Sequence, residues 1–205
     1  GLEKANLVSA KLVGSNLDGA NLQDAKLQQV NLRRAIMTGA ILDRASLVRA
    51  TMKWVSLVDA SLVRTDLEAV NLKSADLEGA DLSRAKLKGA IFIRAELHRV
   101  NLQEADLREV NFKTANLRSA NLQMAVLMDA KFTKADLDGA NLKYAYVSYH
   151  PLADAESLED SILPDGMKFE PATFRPQPRK KTLREHLSEG FPILQSKEWQ
   201  KVFEI

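Results

Sequence analysis

The chain has 205 residues, of which 45% are hydrophobic, 27% charged and 6% aromatic, and its formal net charge is +2. The longest unbroken apolar run, Met124 to Met128, is far shorter than the roughly 20 residues that a membrane-spanning helix needs. Cysteine is absent, which excludes disulfides, thiolate metal sites and cysteine nucleophiles.

From Leu2 to Val147, every fifth residue is apolar. This central residue is leucine except at Met37, Met52, Phe92, Phe112, Phe132 and Val147. The residue two places earlier is mostly Ala, and the residue directly before is often Asn or Asp. Five residues of an α-helix advance about 500°, which would spread the leucines over every side. A flat strand would send alternate leucines to opposite faces. The spacing therefore predicts a chain that turns a corner every five residues, with one Leu and one Ala inward on each side.

Glycine and proline are distributed as such a coil requires. Six of the nine glycines fall two residues after the central residue, where a corner needs an unusual φ. These are Gly14, Gly19, Gly39, Gly79, Gly89 and Gly139. All six prolines lie at or after Pro151. Proline has no N–H to give to a ladder between stacked turns, so its absence before that point predicts stacking.

With its Ala-(Asp/Asn)-Leu-x-x unit, the segment 2–149 resembles the pentapeptide repeat family. The resemblance implies an all-β fold, a right-handed quadrilateral β-helix with twenty residues in each coil and about seven to eight coils. Phe92, Phe112 and Phe132 are spaced by twenty, so in such a coil their rings would form a ladder under one face.

The repeat changes register after Val147. Leu152 keeps the five-residue spacing, Leu158 and Leu163 resume it one residue late, and Leu163-Pro-Asp-Gly166 predicts a terminating turn. We therefore divide the chain into a β-helix over 1–166 and a linker with a helical cap or tail over 167–205.

Two short helices are predicted in the tail. Thr182 and Glu185 form a capping box at the start of the first, which Gly190 ends, and the second covers 196–204. The tail is rich in aromatic residues, so we expect it to fold onto an open end or side of the β-helix.

Sorting the outward residues by a twenty-residue coil separates the charges. One side, which we call the basic face, carries nine cations and no acid, with Trp54 outward among them. Its cations are Lys11, Arg33, Arg34, Lys53, Lys73, Arg94, Lys113, Lys131 and Lys134. The neighbouring acidic face nets −5, with Arg99 and Arg118 against Asp18, Asp59, Asp76, Glu78, Glu96, Asp136 and Asp138. Two interpretations stay open: the basic face docks an anionic partner, or it is a solvated face whose sign was copied by repeat duplication.

A second candidate contact is apolar. Five outward residues meet near one corner: Met124, Val126, Met128, Tyr144 and Tyr146. We call them the apolar patch and expect them to be exposed unless something covers them. The C-terminal tail and a second copy of the chain, in a homodimer, are both candidate covers.

The sequence offers no chemistry for catalysis. The G-x-S-x-G, H-E-x-x-H and Gly-rich phosphate-loop motifs are absent, and the three histidines lie far apart. The Asn or Asp before each leucine is expected to bond to the backbone at the corner. We therefore expect no enzyme, no catalytic residue, no metal and no cofactor.

These observations predict a non-enzymatic scaffold for protein–protein interaction that presents flat charged faces, with a regulatory role as an extension. The expected partner is a protein with an acidic surface, and binding of nucleic acid or another anionic surface through the basic face is the alternative. The resemblance also implies a third option, since some pentapeptide repeat proteins inhibit DNA gyrase by imitating DNA, but that task calls for an acidic rod. No leader precedes the repeat, which predicts a cytoplasmic location, and Gly1 in place of an initiator Met predicts a truncated N-terminus.

Overall fold

Every twenty residues the chain completes one coil, so that residues twenty apart in sequence are neighbours in successive coils. The computed structural model describes residues 1–147 and 149–170. From Asn6 with Lys26 to Val126 with Tyr146, single-residue β-bridges run parallel and join residues twenty apart. In the described part of the chain, the helical structure is α1, Tyr149–Leu152. The all-β repeat fold is confirmed, whereas its right-handed sense stays a prediction.

Three sets of backbone hydrogen bonds join successive coils. One comes from the second residue after each central residue, as from the Arg44 N–H to the Val63 carbonyl at 3.0 Å. From Leu2 to Leu127, the N–H of each central residue donates to the carbonyl 19 residues later, as from Leu22 to Ile41 at 2.7 Å. The N–H of the residue before a central residue donates to the carbonyl 21 residues earlier, as from Lys26 to Ala5 at 2.9 Å. Proline would remove a donor from this ladder, which explains why it is missing from the repeat.

Each corner is a β-turn with a left-handed third residue. The Ala45 N–H donates to the Leu42 carbonyl at 2.9 Å, and between them Arg44 has a φ of 58°. A positive φ at the third residue alone is typical of a type II turn. The same φ recurs at every fifth residue from Lys4 to Tyr144. The predicted unusual φ is therefore confirmed, although glycine supplies it at only six of these corners.

The central residues fill the interior. From Leu22 to Leu142 each is 1% exposed or less. Phe92, Phe112 and Phe132 stack on one another, with ring centroids 5.2 and 5.6 Å apart, so the predicted ladder is confirmed. Thr65 replaces alanine in the interior, where its hydroxyl donates to the Leu42 carbonyl at 2.9 Å.

The predicted register slip is a β-bulge. Asp136 bridges Ser157 and Asn141 bridges Ile162, intervals of 21 instead of twenty. The Glu156 N–H donates to the Ala135 carbonyl at 2.8 Å, while the Ser157 carbonyl accepts from the Leu137 N–H at 3.0 Å. Two residues thus occupy the place that one residue fills in the other coils.

A hairpin ends the described coil. The Gly166 N–H donates to the Leu163 carbonyl at 2.8 Å, and Gly166 has a φ of 84°, which favours glycine. Ile162 then pairs antiparallel with Lys168. The predicted terminating turn is confirmed. The predicted helices over 182–190 and 196–204 lie outside the described residues, and the division at residue 166 stays a prediction.

Candidate partner-binding surfaces

On the basic face, the asparagine before a central residue holds the backbone of the outward residue that follows it. Asn31, Asn71 and Asn111 each accept, through Oδ1, the backbone N–H of the cation two residues later. The donors are Arg33 at 3.3 Å, Lys73 at 3.2 Å and Lys113 at 3.1 Å. The same bond recurs after Asn and Asp on the other sides of the coil, which confirms the backbone role expected of these residues.

The structure brings the nine predicted cations onto one side. Its parallel bridges link Lys11, Asn31, Thr51, Asn71, Ile91, Asn111 and Lys131 in a single column. The remaining cations follow that column at the next two outward positions. Lys53 and Lys73 are half-buried, and the other seven are exposed.

Trp54 lies against two guanidinium groups of the coil below. The guanidinium carbons of Arg33 and Arg34 are 5.4 and 5.6 Å from the centroid of its ring. Both distances fall in the range of cation–π attraction. Trp54 is nevertheless 44% exposed, so the cluster offers a partner an aromatic ring beside two positive groups.

The two charged faces differ in how their cations are used. On the acidic face, Arg99 pairs with Glu78 at 2.8 Å, and Arg118 pairs with Asp136 at 3.2 Å and Asp138 at 3.0 Å. Among the described residues, no carboxylate pairs with any of the nine cations of the basic face. The positive field of the basic face is therefore not neutralised from within these parts of the chain.

Ion pairs between coils lie on the side whose central residues are Leu2, Leu22, Leu42 and every twentieth residue onward. Arg44 donates through Nε and one terminal nitrogen to both oxygens of Asp24, at 2.8 and 3.0 Å. These bonds hold the pKa of Asp24 below its usual value. Arg84 pairs with Glu104 in the same way, twenty residues on. Each of these pairs joins one acid and one base, so the pairs add no net charge to this side.

The apolar patch is only partly exposed. Tyr144 is 41% exposed, and Met124 and Met128 are half-buried. Val126 and Tyr146, however, are only 3% and 9% exposed, which is the burial expected where something covers the patch. Whether the patch binds a partner stays a prediction.

An ion pair with a buried carboxylate lies beside the patch and was not predicted from the sequence. Asp106, which is 6% exposed, accepts bonds of 2.8 and 2.6 Å from Arg108. These bonds raise the pKa of the Arg108 guanidinium above its usual value. An acid and a base two residues apart on one side of the coil were the available signal, but the burial of the pair does not follow from the period.

The described ranges contain no group of three His, Cys, Asp or Glu side chains that could hold a metal ion. Nor does any helix in these ranges have the length and apolar character to cross a membrane.

Two family models match the chain. The model described as "Pentapeptide repeat region" matches residues 65–142, and that described as "Pentapeptide repeats (8 copies)" matches 2–39, 15–53 and 25–62. Among curated proteins, none matches significantly.

Several solved structures are similar to the chain. HetL, a pentapeptide repeat protein involved in heterocyst differentiation regulation in the cyanobacterium Nostoc sp. strain PCC 7120, is 30% identical, with a TM-score of 0.49. That alignment covers 81% of this chain and 92% of HetL. A pentapeptide repeat protein of the Arabidopsis thaliana thylakoid lumen is 20% identical over 55% of this chain and 71% of its own, with a TM-score of 0.39. Trypsin-treated QnrB1, a plasmid-mediated fluoroquinolone resistance protein, is 18% identical over 75% of this chain and 89% of its own, with a TM-score of 0.38.

Proposed function

The chain belongs to the pentapeptide repeat family, and on the chemistry of its own surface we propose that it is a non-enzymatic scaffold that binds a protein with an acidic surface. The binding site is the basic face. The observation that carries the proposal is the set of nine cations on one side, none of which pairs with a carboxylate of the described residues. A regulatory role and a cytoplasmic location stay predictions.

Like charges held on one flat side repel each other, and a partner of opposite charge relieves that repulsion. Single exposed ion pairs contribute only about 0–1 kcal/mol, so many must act together. The coil allows many cations to act together, because equivalent outward positions recur every twenty residues and successive coils lie about 4.8 Å apart. The expected complex therefore forms along the rod and weakens with salt.

A protein partner is favoured over nucleic acid by the shape of the face and by its aromatic residue. The basic face is built from corners and single-residue bridges, so it offers neither a helix nor a β-ribbon to enter a DNA groove. Trp54 with Arg33 and Arg34 forms a cluster of the residue types that anchor protein interfaces.

The proposal can be tested with two anionic probes, a twenty-residue poly-glutamate peptide and oligothymidylate of equal length. Fluorescence anisotropy would follow the binding of each probe to the full chain between 50 and 300 mM salt. We expect the peptide to bind and its affinity to fall as salt screens the charges. Reversing Arg33, Arg34, Lys53 and Lys73 to Glu should lower the affinity by at least tenfold.

The matched control reverses Lys4, Lys26, Arg64 and Lys86, four exposed cations on two other sides. It makes the same change in net charge and should leave most of the peptide affinity intact. Equal losses in both variants would mean that net charge alone drives binding, which contradicts a specific face. Tighter binding of oligothymidylate than of the peptide would support the nucleic-acid alternative, and binding of neither would indicate a solvated face.

A further inference from the structure

One column of outward residues changes from exposed to buried along the rod. This column lies on the side whose central residues are Leu7, Leu27, Leu47 and every twentieth residue onward. Along it, the bridges link in order Lys26, Ser46, Asp66, Lys86, Asp106, Val126 and Tyr146. Lys26 and Lys86 are exposed. Asp106, Val126 and Tyr146 are only 6%, 3% and 9% exposed, and we call these three the covered strip.

Stacking of coils does not account for this burial. Ile41, at the same place of the repeat on another side, and Val126 each have a bridged residue above and below, yet Ile41 is 38% exposed and Val126 only 3%. Stacking therefore leaves an apolar outward residue partly exposed, and within the covered strip the contact of Asp106 with Arg108, on its own side, adds to the burial of Asp106. The burial of Val126 and Tyr146 therefore requires a cover from outside the stack.

The strip has the chemistry of a contact surface. Val126 and Tyr146 give it an apolar centre, with Met128 half-buried beside them. At one end Asp106 is neutralised by Arg108, so no unpaired charge faces the cover at that point. An apolar area of this kind on an otherwise charged rod indicates a bound segment. Because the strip is buried in a single chain, a second copy is not needed to cover it.

We propose that residues 171–205 of the same chain pack on the covered strip. The described chain ends at Glu170, next to the hairpin on the last coil, and 35 residues remain. An extended segment of that length reaches more than about 100 Å, whereas two coil intervals, from Tyr146 to Asp106, span only about 10 Å.

The composition of the remaining segment matches the strip. It contains the aromatic residues Phe174, Phe191, Trp199 and Phe203. Such side chains are the natural partners of Val126 and Tyr146, since each buries a large apolar area. The binding surface of the proposed function lies on another side, so the two proposals can fail independently.

Tryptophan fluorescence tests this docking directly, because the chain has only two tryptophans. In a Trp54→Phe background, emission reports on Trp199 alone. We expect a blue-shifted maximum and weak quenching by iodide, as for a buried indole. Adding Val126→Lys should shift the maximum towards that of exposed tryptophan and raise iodide quenching, because the lysine would bury a charge under the tail.

The coil itself should tolerate Val126→Lys, since Lys26 and Lys86 already occupy this column. Ser46→Lys, in the same column but away from the strip, is the matched control and should leave the emission unchanged. Tyr146→Lys repeats the test should Val126→Lys lose the far-ultraviolet circular dichroism of the parent.

Three results would overturn the proposal. The first is an exposed-type emission of Trp199 in the Trp54→Phe protein itself. The second is an emission that neither Val126→Lys nor Tyr146→Lys changes, which would mean that the tail docks elsewhere. The third is a blue shift that disappears on dilution, which would assign the cover to a second copy of the chain.

Discussion

The ring of Phe92 stacks on the ring of Phe112, with centroids 5.2 Å apart and planes inclined by 22°. Phe132 continues the stack at 5.6 Å. The three rings occupy one column of the interior, which holds Leu32 and Leu72 lower down. Because each ring rests on the next, removing the middle one affects two contacts.

Phe112→Ala should lower the free energy of unfolding by about 3–5 kcal/mol, as expected for a large cavity in a packed core. Phe112→Leu should cost much less, since leucine already fills this column at Leu32 and Leu72. Denaturant unfolding would measure both. The control, Lys113→Ala, should stay within about 0.5 kcal/mol of the parent, and a greater cost for Lys113→Ala than for Phe112→Ala would contradict the inward assignment.

Two consecutive corners of one column allow a test of backbone strain. Ala69 has a φ of 54°, and Gly89, one coil on, has a φ of 68° with open space where a Cβ would lie. Left-handed backbone costs a non-glycine residue about 1–2 kcal/mol, which the greater flexibility of unfolded glycine partly offsets. We expect Ala69→Gly to raise, and Gly89→Ala to lower, the free energy of unfolding by about 1 kcal/mol. Changes of the same sign in both variants would contradict this reasoning.

Proline should have opposite effects at two positions that are only two residues apart. The Lys86 N–H donates to the Thr65 carbonyl at 2.9 Å, so Lys86→Pro should cost about 3 kcal/mol or more. Lys88 is the second residue of the corner that ends at Ala90, and Gly89 follows it, which is the arrangement that type II turns favour for Pro-Gly. Lys88→Pro should leave the melting temperature equal or higher. A large loss for Lys88→Pro would show that its N–H or its preceding residue has a role that the hydrogen bonds do not reveal.

The buried pair of Asp106 and Arg108 should be strongly coupled. Asp106→Ala removes the two bonds that the half-buried Arg108 donates to this carboxylate and should lower the free energy of unfolding by about 1–3 kcal/mol. Replacing both residues with alanine should cost less than the sum of the single changes, which a double-mutant cycle in denaturant measures. Strict additivity would mean that the pair makes no net contribution. The exposed pair of Asp24 and Arg44 is the control, and its coupling should be small.

Trp54 should matter more for binding than any single lysine of the basic face. We expect Trp54→Ala to weaken poly-glutamate binding by about tenfold, because it removes an exposed aromatic ring that lies against Arg33 and Arg34. Lys131→Ala, at the same face but far along the rod, should change the affinity by less than about threefold. Anisotropy titrations at one salt concentration would compare them, and equal effects would argue against an anchor at Trp54.

The features that the sequence predicted are those that depend on the period. Leu158 and Leu163 indicate the slip because each residue's inward or outward direction is set by its place in the five-residue unit. The burial of Val126 was not predictable in this way, because the five-residue period does not say what lies on an outward position. The stacking of Arg33 on Trp54 was also missed, since it depends on side-chain conformations across two coils. For the basic face, the period predicts which residues share a side, but not what binds there.

The hairpin after the last coil has a consequence for assembly. A stacked coil offers its edge to any similar edge, so a repeat with a bare end can add copies of itself into a filament. In the coils up to Leu127, the N–H of a central residue donates to a carbonyl 19 residues later. The Leu163 N–H instead donates to the Met167 carbonyl at 2.7 Å. The Ser161 carbonyl accepts from Phe169 at 2.8 Å. At this corner the segment after Gly166 therefore bonds to the N–H of Leu163 and the carbonyl of Ser161, the backbone groups to which a further coil of another copy would otherwise bind.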